Sequence, residues 1–145
     1  MTPNFKLLFL TLAIGAGLAA CNTTRPLVAS SSPCQNTTVT LYFESGSETL
    51  TDAGNQIVAL TARRLQGCKV RELSLVGLAD PTGSPQVNLA LSQHRADNVL
   101  TAFVHAGLPV PKYNLVAAGQ KGAVTANGAV EPLRRQVDVT VVVDR

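Results

Sequence analysis

Gly77-Leu78-Ala79-Asp80-Pro81-Thr82-Gly83-Ser84-Pro85-Gln86-Val87-Asn88-Leu89-Ala90-Leu91-Ser92-Gln93-His94-Arg95-Ala96 is the stretch on which the fold turns. It begins where an apolar run ends. Val70 to Val76 reads as a strand, with Leu73 and Leu75 on one face. Ala79 to Pro85 is dense in Asp, Pro, Gly and Ser, the residues that set turns, so a loop is expected there. From about Leu89 to Ala106, Ala96, Val99, Leu100 and Phe103 give a helix an apolar side, and Gly107 stops it. This order puts Asp80 just beyond a strand's C-terminal end, where α/β sheets tend to hold ligands. It puts Arg95 in the first turns of the following helix.

Working outward, Val39-Thr40-Leu41-Tyr42-Phe43 is a β-branched and aromatic run of strand length. Thr51-Asp52 offers a helix start. Ala53, Ile57 and Leu60, with Val58, Ala62 and Leu65, recur at three- and four-residue spacing until Gly67 ends the helix. On the C-terminal side, Tyr113 to Ala118 reads as a third strand. Gln136 to Val143 reads as a fourth, in which Val137, Val139, Val141 and Val143 alternate with Gln136, Asp138 and Thr140. The glycine-rich stretch from Gly119 to Leu133 is expected to be irregular. The order β-α-β-α-β-β predicts a layered α/β sandwich.

The first twenty residues stand apart from this domain. Lys6 precedes an uncharged run from Leu7 to Ala20, the layout of a secretory signal and short for a membrane span. A buried N-terminal helix is the alternative, but Gly15, Gly17 and the small-residue end suit processing better than packing. Leu18-Ala19-Ala20-Cys21 resembles the lipobox of bacterial lipoproteins. The resemblance implies cleavage before Cys21, diacylglycerol on its thiol and a further acyl chain on the new amino group. Several acyl chains hold a bilayer firmly where one does so only marginally. Asn22 lacks the Asp that retains such proteins at the inner membrane in enterobacteria, which leans toward the outer membrane. Residues 22–33 are small, polar and proline-containing, a linker that spans at most about 40–45 Å. The expected organisation is thus a signal over 1–20, a lipidated cysteine and linker over 21–37, and one domain over 38–145.

If Cys21 carries lipid, Cys34 and Cys68 remain. An oxidising compartment permits a disulfide between them, and each precedes a predicted strand, so a pair is expected; two buried free thiols are the alternative. The formal charge of +3 over 145 residues falls to +2 once Lys6 is removed, with no basic run. With only six aromatic residues and no Trp, neither a nucleic-acid patch nor a stacking platform is indicated. His94 and His105, the only histidines, lie eleven residues apart on the second helix, about 16 Å, too far to share a metal. No metal, phosphate-loop or nucleophile motif occurs, so neither an enzyme nor a cofactor is expected.

Specific residues resemble the OmpA-like C-terminal domain, the peptidoglycan-binding module. Tyr42 to Leu50 is similar to its opening. Gly77-Leu78-Ala79-Asp80 stands where the family has Gly-His-Thr-Asp. Gly83-Ser84 and Asn88 to Ala96 follow its Gly-Ser…Asn-x-x-Leu-Ser-x-x-Arg-Ala, and Gly107-Leu108 and Ala118-Gly119 fit later landmarks. The resemblance covers about residues 38–143 and implies an α/β (α+β) sandwich of two helices packed on a mixed four-stranded sheet. It implies non-covalent binding of the diaminopimelate in the peptidoglycan stem, by a tether lipid-anchored in the outer membrane with its domain facing the periplasm. The ligand Asp falls on Asp80 and the ligand Arg on Arg95. Diaminopimelate carries an ammonium and a carboxylate on one carbon, which a carboxylate and a guanidinium fork match. Thr82, Gly83 and Asn88 in and after the loop are further candidates. Arg135 is another, from a terminal arginine pair of which Arg134-Arg135-Gln136-Val137 keeps only one member in register. Leu78 and Ala79 depart from the pattern and remove two polar side chains. The alternative function is an accessory lipoprotein of an envelope or secretion complex that binds a protein partner, with wall binding weak or lost.

Overall fold

The computed structural model describes residues 34–122, 127 and 134–144. The expected signal, Cys21 and the linker to residue 33 lie outside the described residues, as does most of the loop expected between Gly119 and Leu133.

Six elements follow in the order β1 (Thr37–Tyr42), α1 (Asp52–Arg64), β2 (Val70–Leu78), α2 (Pro85–His105), β3 (Tyr113–Gly119) and β4 (Gln136–Val143). The sheet order is β1-β4-β2-β3. β4 runs antiparallel to both neighbours, while β2 and β3 are parallel and are joined across α2. The alternation read in β4 is the centre of the core. Val137, Val139 and Val141 are fully buried, paired with Leu41, Leu75 and Leu73 respectively. α2 covers β2, β3 and β4, and α1 lies against β1 and α2.

α2 starts at Pro85, earlier than the apolar spacing indicates. Ser84 caps it, its Oγ accepting from the Val87 N–H at 3.3 Å, and Pro85 occupies the first turn, where its missing N–H costs nothing. The same Ser and Pro read as loop residues in sequence. Of the two apolar rows read in α1, Val58, Ala62 and Leu65 are buried, joined by Gly54 and Thr61; Ile57 packs at the core's edge, while Ala53 and Leu60 are exposed. Thr51 caps this helix, accepting from Gly54 N at 3.0 Å.

Cys34 and Cys68 form a disulfide with Cα atoms 5.4 Å apart, tying the residues ahead of β1 to the α1–β2 turn. Because β1 and β2 both run antiparallel to β4, and β3 runs parallel to β2, the C-terminal ends of β1, β2 and β3 share one edge of the sandwich. The loops after Tyr42, Leu78 and Gly119 therefore gather there, opposite the disulfide.

Candidate functional site

The gathering of these loops depends on close approach between α2 and the sheet. Gly77 faces the Ser92 carbonyl so closely that a Cβ would overlap it. Gly119, at φ +54°, lies against the backbone of Leu89. Ser92 then bridges, donating to Leu89 O at 2.8 Å and accepting from Gly119 N at 3.0 Å. Asn88 donates to Gln120 Oε1 at 2.8 Å. Asn88, Ser92 and Arg95 are all buried on one side of α2, in line with Ala96, Val99 and Phe103.

Arg95 is the largest fully buried side chain among the described residues. Its Nε donates to Ser47 O at 2.7 Å, Nη1 to Leu78 O at 2.9 Å and Nη2 to Glu44 O at 3.1 Å. The guanidinium also lies over the Phe43 ring, 5.0 Å from its centre. Burial holds its pKa below the usual arginine range. Asp80 opposes that shift and Arg135 adds to it, so the three charges share one electrostatic neighbourhood. The group remains protonated.

Asp80 ends the strand extension in which Ala79 N donates to Gly119 O at 2.8 Å. Its Oδ1 accepts from Thr82 N at 3.2 Å, an Asx turn that shapes the loop, and its Oδ2 lies 3.9 Å from Arg135 Nε. Thr82, Gly83 and Ser84 continue that turn, with Gly83 at φ +98° beside the Asn88 side chain.

A cleft of about 200 Å³ opens between the β1–α1 loop, the β2–α2 loop and the start of α2. Ser45, Gly46, Asp80, Thr82, Val87, Asn88 and Leu91 line it. Asp80, Thr82 and Asn88 thus share one wall. Arg95 does not line the cleft. It lies behind it and holds two of its walls through the Glu44, Ser47 and Leu78 carbonyls. Arg135 stands beside Asp80, about one-third exposed. Leu78 and Ala79, where the sequence departs from the Gly-His-Thr-Asp pattern, are 4% and 0% exposed and serve packing.

Ser45, Gly46, Val87 and Leu91 were not among the sequence candidates. Val87 and Leu91 are four residues apart on α2, a spacing that shares a helix face. Among the described residues no cluster of His, Cys, Asp and Glu could hold a metal, and His94 and His105 are both exposed.

A model of the OmpA family matches residues 42–136. Probable lipoprotein YiaD of Escherichia coli (strain K12) is 29% identical over 101 residues, 68% of this chain and 46% of YiaD, so the chain spans about half that relative's length. Among solved structures, the OmpA-like domain of FopA1 from Francisella tularensis superposes with a TM-score of 0.63 at 16% identity, covering 76% of this chain and 77% of that one. The peptidoglycan-associated lipoprotein from Burkholderia pseudomallei gives a TM-score of 0.56 at 22% identity, covering 83% and 100%. At these identities the structural likeness is one of fold.

Proposed function

The chain belongs to the OmpA family, and on that premise we propose that its domain binds peptidoglycan non-covalently, taking the diaminopimelate of the peptide stem in the cleft beside Asp80. The observation that carries this reading is the pairing of Asp80 at the cleft wall with the buried charge of Arg95 behind it. Asp80 accepts from the ligand's ammonium. Arg95 draws the carboxylate of the same carbon, with loop N–H groups around Thr82 and Gly83 taking its remaining oxygens. Arg95 is fully buried and donates to three carbonyls, so its charge acts on the carboxylate from behind the cleft wall. Arg135 adds a second positive charge at the rim, and Asn88 holds the start of α2 in register.

In this reading Cys21 carries the lipid and the domain works in the periplasm as an outer-membrane tether to the wall. Its role is to hold a ligand, with no bond made or broken. Sedimentation of the domain from Ser32 onward with purified sacculi tests it. The wild-type domain is expected in the pellet, and Asp80→Ala is expected to bind about tenfold or more weakly, the worth of one charge-assisted bond. A wild-type domain that stays in the supernatant overturns the reading.

A further inference from the structure

The end of the domain opposite the cleft carries an excess of positive charge. Arg63 and Arg64 occupy the last turn of α1, Lys69 and Arg71 flank the start of β2, and Lys112 precedes β3; all five are exposed. Two anions answer them there. Asp144 pairs with Lys69 at 2.8 Å and Glu72 with Lys112 at 3.0 Å, which leaves a net +3. The rest of the described domain has four Lys or Arg and six Asp or Glu, a net −2. The positive charge of the described domain is thus gathered at the base, while the remainder is slightly negative.

The polypeptide also leaves the domain at this base. The disulfide pins Cys34 to Cys68, the residue before Lys69. Twelve residues lie between Cys21 and Cys34. Their reach is at most about 45 Å, so a base joined to lipid through Cys21 stays within a short tether of the bilayer. Under such a tether even a weak surface affinity is populated, because the effective concentration is on the order of millimolar. Beside Lys112, Tyr113 is 57% exposed, and tyrosine with basic residues is the mixture favoured at membrane–water interfaces.

We propose that this basic end is a membrane-facing surface that rests against anionic phospholipid headgroups and directs the cleft away from the bilayer. This asymmetry favours one orientation, since an anionic surface attracts the base more than the rest of the domain. The inference does not depend on what the cleft binds. It takes from the Cys21 reading only the nearness of the bilayer, and the surface itself can be tested without lipidation.

Residues 31–145 hold the whole described core, so the domain from Ser32 is used alone. It is floated with vesicles of phosphatidylcholine, or of phosphatidylcholine mixed with phosphatidylglycerol, over a range of salt. Association with the anionic vesicles alone is expected, weakening as salt screens it, and falling about fivefold for each of Arg63, Arg64 and Arg71 changed to Glu. The triple variant is checked for an unchanged melting profile and for unchanged sedimentation with sacculi, which separates this surface from the cleft. Equal association with both vesicle types, or a folded triple variant that floats like wild type, overturns the proposal.

Discussion

Arg95 donates from Nη1 to the carbonyl oxygen of Leu78 at 2.9 Å, two residues before Asp80. The same guanidinium reaches Glu44 O and Ser47 O on the β1–α1 loop behind the cleft. One side chain of α2 therefore fixes both the strand end that presents Asp80 and the loop that supplies the facing wall. A buried guanidinium is costly to desolvate, and three carbonyl acceptors with the Phe43 ring offset that cost.

Arg95→Ala is accordingly expected to lower stability by about 3–5 kcal/mol, because it leaves buried carbonyls without donors. Arg95→Lys should recover only part of this, since a compact ammonium does not span three carbonyls as the planar fork does. Urea unfolding measures both. An Arg95→Ala domain as stable as wild type would contradict the clamp.

Gly77→Ala should destabilise more than a typical surface change, by about 2–4 kcal/mol, because the new methyl meets the Ser92 carbonyl and α2 must move off β2. The shift would also displace Asn88 and Leu91 at the cleft. A thermal melt alongside sacculus binding should show both losses.

Replacing both Cys34 and Cys68 by Ala should cost about 3–4 kcal/mol, since the closed loop of 33 residues is freed in the unfolded chain. Binding at the cleft should be unchanged at temperatures where the domain remains folded, because the bond lies at the other end. Unfolding in the presence and absence of a reductant, followed by sedimentation with sacculi, checks both statements.

The Lys69–Asp144 pair gives a pH dependence of known sign. The hydrogen bond from Lys69 holds the Asp144 carboxyl below its ordinary 3.8, so its contribution is complete above 3.8 and is lost as pH falls through the lowered value. The hydrogen bond to Asp144 raises Lys69 above 10.5, so that contribution is complete below 10.5 and is lost as pH rises through the raised value. Both groups are solvated, so the effect is small. Asp144→Asn should lower the melting temperature slightly at neutral pH and make no difference in strong acid. An undiminished difference in strong acid would contradict the assignment.

Much of this was legible in the sequence because it is local. The alternation of β4, the two helices and the Asp80 loop follow from periodicity and turn chemistry, and the layered sandwich follows from element order. The early start of α2 was hidden because Ser84 and Pro85 serve equally as loop residues and as a cap with its first turn. Leu60 misled because its spacing fits an apolar row that the sheet does not meet. The burial of Arg95 was the largest surprise, since an arginine on a helix is ordinarily solvated. Its position was nonetheless readable. Asn88, Ser92, Arg95, Ala96, Val99 and Phe103 fall on one helical stripe, and Arg95 sits inside it. Ser45 and Gly46 reach the cleft through a contact some 35 residues away in sequence, which no local pattern reports.

The central claim is that Asp80 and the charge of Arg95 hold diaminopimelate in the cleft. Its most direct test is calorimetric titration of the domain with a stem peptide carrying diaminopimelate and with the counterpart carrying lysine, using wild type and Asp80→Asn. Asn can still accept from Thr82 N, so the loop is kept while the charge is removed. The account predicts that wild type prefers the diaminopimelate peptide, and that Asp80→Asn loses on the order of tenfold or more of its affinity with little change in melting temperature. Equal affinity for the two peptides, or undiminished binding by Asp80→Asn, would contradict it.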